Sequence, residues 1–287
     1  MNETTTPRVI VGYDGSLPAN AAIAAGALLL PRAHSWITHL WTPPFASEPL
    51  RHRLWHGNAE LDEFVAAIEL EGAWEADQLA ATGVALAVAA GWVAEPVVRR
   101  AYGGEGMLLT ELTGEIAPDL VLLGSRGLGG ARAVLGSVSD MVVHYSPRPV
   151  VVVPYPLLMA EHACLAGGPV IVGWDGSAGS QAAYAAAARL FTGRELILAG
   201  VGEDAPPPAV ADGVEVPVLH VGKGHGDAAR AVAGALAECA RERDAALLVV
   251  GSRGRSAVQE ILLGSVAMAT LHNAHRPTMV VPHPQSR

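Results

Sequence analysis

"RVIVGYDGS" at residues 8–16 returns as "PVIVGWDGS" at residues 169–177. In both, an apolar run with β-branched residues ends in Asp-Gly-Ser, the pattern of a buried strand that stops in a tight turn. Two more phrases return in the same order. "DLVLLGSRG" (Asp119 to Gly127) is answered by "ALLVVGSRG" (Ala246 to Gly254), and "RPVVVVP" (Arg148 to Pro154) by "RPTMVVP" (Arg276 to Pro282). Three matches in one order mean two copies of one domain. The expected boundaries are 1–154 for the first copy and 169–287 for the second. Between them 155–168 is a linker, "YPLLMAEHACLAGG", with no matching segment.

Each copy alternates strand and helix signals. In the first, the strand candidates are Val9–Tyr13, Trp36–Trp41, roughly Val93–Ala101, Leu120–Gly124 and Val150–Val153. These continuous apolar runs suit a parallel sheet covered on both faces. "ANAAIAAGALLL" is helix-prone, and residues 60–90 carry Leu61, Phe64, Val65 and Ile68 at helical spacing. The expectation is an α/β fold: two tandem five-stranded parallel sheets of order 3-2-1-4-5, flanked by helices. In the second copy, "GEDAPPPAVADG" joins strand Leu196–Val201 to strand Val214–Val221. Three consecutive prolines cannot lie inside a helix. The second copy is therefore expected to lack that crossover helix, leaving one sheet face under-covered.

In a doubly wound sheet, ligands bind beyond the carboxyl ends of the strands, where the strand order reverses. Asp14 and Asp175 follow the first strand of each copy, and the Gly-Ser-Arg-Gly loops follow the fourth. With order 3-2-1-4-5 both features converge on one crevice. Closely spaced glycines let backbone N–H groups approach a phosphate. The loop arginine neutralises phosphate charge. The serine of Gly264-Ser265 opens a helix-prone stretch, where it caps the helix and faces an anion. The strand-1 carboxylate can accept from an amino group or a sugar hydroxyl. Each feature alone is ordinary; their co-occurrence at matching strand ends, twice, is not.

These residues resemble the universal stress protein family, in its tandem two-domain form. The family signature G-x2-G-x9-G-[ST] is matched in full by Gly251, Gly254, Gly264 and Ser265. The resemblance implies a Rossmann-like, adenine nucleotide α-hydrolase-like sheet. It further implies ATP, with Mg²⁺ as an optional companion, bound with adenine near the strand-1 aspartate and the triphosphate on the glycine loop. Carried over, the second site would use Asp175, Val201 (backbone), Gly251, Arg253, Gly254, Gly264, Ser265 and Val266. The first would use Asp14, Leu40, Gly124, Arg126, Gly127, Gly136, Ser137 and Val138. The first copy departs from the signature, with eight residues between Gly127 and Gly136 where the second copy has nine. In helical geometry one lost residue rotates the rest of the segment by about 100°. Gly129 and Gly130 offer a loop that can absorb the change instead. The first site is expected to bind ATP more weakly than the second, or not at all.

The remaining candidates carry less. The net charge of −9 and the absence of any Lys/Arg block argue against nucleic-acid and acidic-membrane partners. No apolar run reaches the roughly 18 residues of a membrane span, and no signal-peptide pattern opens the chain. Cys164 and Cys239 read as free thiols of a reducing cytosol. Lys223, in "HVGKGHGD", lacks the Walker context. The pairs His52/His56 and His272/His275 lack a third metal ligand at a diagnostic spacing. "RHRLWHG" (Arg51 to Gly57) reads as a solvated loop. The expected function is a cytoplasmic ATP-binding regulator or sensor in stress response, with slow or no hydrolysis. The first loop contains no acidic residue or histidine to position a water, and the second carries Glu260 alone. The expected assembly is intramolecular pairing through the last strands, with homodimerisation of the chain. The alternative is a nucleotide-free scaffold, at least for the first copy.

Overall fold

Val9, Ile10 and Val11 are all fully buried, yet they serve two different cores. Val9 and Val11 pack on one face of the sheet and Ile10 on the other. The same alternation holds at Leu120, Val121 and Leu122, at Val170, Ile171 and Val172, and at Met279, Val280 and Val281. A strand covered on both faces has no polar positions to alternate, which is why these runs read as continuous.

A computed structural model describes residues 6–43, 59–125, 135–202, 218–222, 228–254 and 263–283. In the first half the strands are β1 (Arg8–Gly12), β2 (His34–Trp41), β3 (Val93–Arg100), β4 (Leu120–Gly124) and β5 (Val150–Val153). Its helices are α1 (Leu17–Leu29), α2 (Ala59–Ala89), α3 (Glu105–Ile116) and α4 (Ser137–Tyr145). A short helix, α5 (Met159–Cys164), lies in the expected linker. The second half has β6 (Val170–Gly173), β7 (Leu196–Val201), β8 (Val218–Val221), β9 (Leu247–Gly251) and β10 (Thr278–Val281). Its helices are α6 (Ala178–Leu190), α7 (Ala228–Glu242) and α8 (Ser265–Asn273).

The strands form one ten-stranded sheet, β3-β2-β1-β4-β5-β10-β9-β6-β7-β8. Each half has the 3-2-1-4-5 order and is parallel within itself. The halves join antiparallel through their last strands, with Thr278 opposite Val152, Met279 opposite Val151 and Val280 opposite Val150. This junction removes an exposed edge from each half. It also points the carboxyl ends of the two sets of strands in opposite directions. β2 starts two residues before the apolar run because its polar start pairs on both sides: His34 stands opposite Arg8 and Val93. At the outer edge, β3 carries Pro96, Arg99 and Arg100, residues that suit an edge and discourage further pairing.

The halves are also tied by side chains. The Arg194 guanidinium donates to the carbonyls of Leu28 (2.9 Å), Leu29 (3.3 Å), Leu165 (2.8 Å) and Gly168 (3.1 Å). Burial draws its pKa below the ordinary arginine value. Arg189 Nη1 donates to Asp119 Oδ1 at 2.6 Å. Among the described residues, no helix is long and apolar enough to cross a membrane. The proline segment after Gly202, Lys223, the basic segment 51–57 and the side chains of Leu61, Phe64 and Ile68 lie outside the described residues.

Candidate functional site

In both halves the strand-1 aspartate closes a turn and a serine starts the next helix. Asp175 Oδ1 accepts from the Ser177 N–H at 3.0 Å, and Ser177 Oγ from the Ser180 N–H at 3.2 Å. Asp14 Oδ1 accepts from Ser16 at 3.0 Å, and Ser16 Oγ from Ala19 at 3.3 Å. Gly15 (φ +75°) and Gly176 (φ +77°) lie in the left-handed region that glycine tolerates. The turn reading of Asp-Gly-Ser is thus correct, and it leaves each aspartate at the carboxyl end of its strand.

In the second half the glycine loop meets this turn. A Cβ at Gly254 would lie 3.0 Å from Asp175 Oδ2. One at Gly251 would lie 2.5 Å from the Gly179 carbonyl oxygen, and one at Gly179 only 1.8 Å from that of Arg253. The loop therefore runs directly over the first turn of α6, at a separation that only glycine allows. Ser252 ties the loop together. Its N–H donates to Val281 O (2.7 Å), its carbonyl accepts from Gly264 N–H (2.7 Å), and its Oγ accepts from His283 N–H (2.9 Å). Arg253 Nε is buried and has no hydrogen-bond partner. Asp175, Gly251, Arg253, Gly254 and Gly264 are thus gathered around one loop. Val201 ends β7 at the same edge of the sheet, just beyond Ala199, whose carbonyl accepts from Trp174 N–H at 2.9 Å.

The helix cap differs from the expectation. Gly264, with φ −73° and ψ 157°, is the N-cap of α8, and no side chain caps it. Ser265 is the first helical residue and exposed; Val266 is half-buried. Ser265 therefore does not cap the helix. It presents its N–H and hydroxyl in the first turn, where backbone donors are unpaired.

The first half repeats the plan with different packing. Asp14 is exposed, and Leu40 is half-buried near the end of β2. A Cβ at Gly124 would lie 2.5 Å from Pro18 O. Pro18 occupies the place of Gly179, so the half that lacks a loop residue also carries a ring where the other needs a bare backbone. Gly136 caps α4, Ser137 is exposed and Val138 half-buried. Among the described residues, Gly136 makes no counterpart of the Gly264–Ser252 bond. Instead Ser139 Oγ donates to Gly124 O at 3.0 Å. Arg126, Gly127, Gly129 and Gly130 lie outside the described residues.

Beside Asp14, burial and the neighbouring carboxylate push the Tyr13 phenol above its ordinary pKa, and its hydroxyl donates to Asn20 Oδ1 at 2.8 Å. A cavity of about 590 Å³ opens between the end of β2 and α2, lined by His39, Trp41, Thr42, Glu71, Glu75 and Leu79, among others. His275 lies beyond the end of α8, and His272 within it. Among the described residues, no three His, Cys, Asp or Glu side chains group to hold a metal.

Three residues of this arrangement escape a reading of the sequence. Ser252 is visible in both Gly-Ser-Arg-Gly loops, but nothing there assigns it a role. Gly179 and His283 give no signal, because their proximity to the loop comes from helix packing and from β10 lying beside β9.

Residues 5–154 and 224–282 match the universal stress protein family. Universal stress protein Rv2005c of Mycobacterium tuberculosis is 30% identical over 313 residues, covering 95% of this chain and 96% of its own length. A universal stress protein of Mycolicibacterium smegmatis is 30% identical over 312 residues, with the same coverage. The crystal structure of a universal stress protein from Archaeoglobus fulgidus shares the fold, with a TM-score of 0.66 over 98% of this chain and 100% of that one, at 19% identity.

Proposed function

The chain belongs to the universal stress protein family, and on that footing we propose that it is an ATP-binding regulator of the stress response whose working site lies in the second half. One observation carries the reading. Gly254 of the glycine signature faces Asp175 Oδ2, Gly251 lies against Gly179, Gly264 lies against Ser252, and Arg253 Nε is buried and unpaired. An anionic group fits these residues. The backbone of Gly251, Gly254 and Gly264 leaves room for close approach. Arg253 supplies charge, and Ser265 and Val266 supply first-turn N–H donors. Asp175 and the Val201 backbone would hold the adenosine end. Mg²⁺, where bound, would come with the nucleotide and offset phosphate charge.

The first half is the weaker site. Its loop is one residue shorter, Pro18 stands where Gly179 gives way to the loop, and Gly136 lacks the tie that holds Gly264 to Ser252. A scaffold role for that half is favoured by the β5–β10 junction, a backbone ladder that joins the halves. The domain limits 1–154 and 169–287, a cytoplasmic location and homodimerisation belong to the same proposal. So does slow or absent hydrolysis: Glu260 is the one carboxylate of the second loop, and the resemblance puts the other candidate, Asp175, at the adenosine end. A regulator must also bind ATP better in one state than in another.

Calorimetric titration with ATP, ADP and adenosine tests the reading. Saturable binding that weakens as phosphates are removed is expected. No saturable binding of ATP up to millimolar concentration, with and without Mg²⁺, would refute it.

A further inference from the structure

The last strand of the second half delivers a histidine to the glycine loop. β10 lies beside β9 and runs parallel to it, with Val281 level with Gly251. His283, two residues past Val281, therefore emerges beside Ser252, one residue past Gly251. The His283 N–H donates to Ser252 Oγ at 2.9 Å. The root of the imidazole is thus fixed to the residue that also holds Val281 and Gly264. Because Nδ1 is the ring nitrogen nearer the main chain, covalent geometry keeps it close to that anchor.

His283 Nδ1 is buried and makes no hydrogen bond. Arg253 Nε, on the residue next to Ser252, is in the same condition. Among the described residues these are the buried side-chain nitrogens or oxygens left unpaired. Folded proteins leave few buried polar atoms unpaired, and each one calls for an explanation. Here both belong to residues attached to Ser252, one through the chain and one through a hydrogen bond. Two nitrogen donors around a glycine loop suit one kind of ligand, an oxyanion that accepts from both.

We infer that His283 is a phosphate-binding residue of the second-half site, donating from Nδ1 to a nucleotide phosphate oxygen alongside Arg253 Nε. The inference rests on the nucleotide reading and extends it to a residue outside the glycine signature. A hydrogen bond at Nδ1 selects the tautomer that carries the proton there. In the first half the same anchor holds a different group: Tyr155 N–H donates to Ser125 Oγ at 3.1 Å. A tyrosine has no donor at the root of its ring, so this position adds to the inequality of the two sites.

The test compares wild type, His283→Phe and His283→Asn in titrations with ATP and with adenosine. Asparagine places an amide N–H close to where Nδ1 stands; phenylalanine keeps the ring and removes the donor. His283→Phe is expected to weaken ATP by about tenfold and to leave adenosine within twofold, with His283→Asn recovering most of the loss. The imidazole signals of wild type, assigned to His283 by their loss in His283→Asn, are expected to shift on addition of ATP. ATP affinity unchanged in His283→Phe, equal losses for ATP and adenosine, or unmoved imidazole signals would overturn the inference while leaving the nucleotide reading intact. Wild type that binds no ATP would overturn both.

Discussion

Gly179→Ala is the perturbation that isolates the second-half site. A Cβ there would sit 1.8 Å from the Arg253 carbonyl oxygen. Ordinary contact for such a pair is 3.4 Å or more, so the two must separate by at least 3.4 − 1.8 = 1.6 Å. Neither partner is the far end of a flexible side chain. One is the backbone of the glycine loop and the other the first turn of α6, whose start is fixed by the Ser177 cap at 3.2 Å. The loop is the part that must yield. A shift of that size breaks the geometry of the loop N–H donors and moves Arg253 off the anion. Charge-assisted hydrogen bonds contribute about 1.5–3 kcal/mol each, so losing one weakens ATP by about 10- to 150-fold. Stability moves less, because alanine is better than glycine in a helix by about 0.5–1 kcal/mol and offsets part of the strain. The assay is ATP titration together with urea unfolding of the same preparation. Gly179→Ala that binds ATP within twofold of wild type would show that the loop does not depend on this contact.

Arg194→Ala leaves the carbonyls of Leu28, Leu29, Leu165 and Gly168 without their shared donor; the expected loss is about 2–4 kcal/mol of stability by urea unfolding. Met279, fully buried opposite Val151 at the junction of the halves, should cost about 2–5 kcal/mol as Met279→Ala, read as a lower urea midpoint. Burial pushes the Cys239 thiol above its ordinary value of 9.0. The stability tied to its neutral form is full below that pH and is lost as pH rises through the folded value, so wild type should lose more stability above pH 9 than Cys239→Ala does. At neutral pH a thiol reagent should label the half-buried Cys164 in the native protein and Cys239 only after unfolding.

Much of the fold is legible because it is written twice. Val9–Val11 and Val170–Val172 mark the first strands, and repetition of the later phrases fixes which strands are equivalent. Burial on both faces then accounts for their uninterrupted apolar character. Strand limits are less legible where polar residues continue a ladder, as at His34. Helix α5 gives no signal because six residues in a segment with no repeat carry too little periodicity. Asp175 and the glycines are legible from their spacing. The role of Gly179 is not, because nothing in "DGSAG" states that another backbone passes within contact of it. Serine favours the cap position, which makes Ser265 the expected cap; the extended backbone falls one residue earlier, at Gly264. His283 needs the strand order, since only the placement of β10 beside β9 brings it to Ser252.

The central claim is that one chain holds one competent nucleotide site. The direct measurement saturates the purified protein with ATP and Mg²⁺, removes unbound nucleotide rapidly, denatures the protein and counts adenine nucleotide per chain. The account predicts one in wild type and none in Gly179→Ala. Two per chain in wild type, or one that persists in Gly179→Ala, would contradict it.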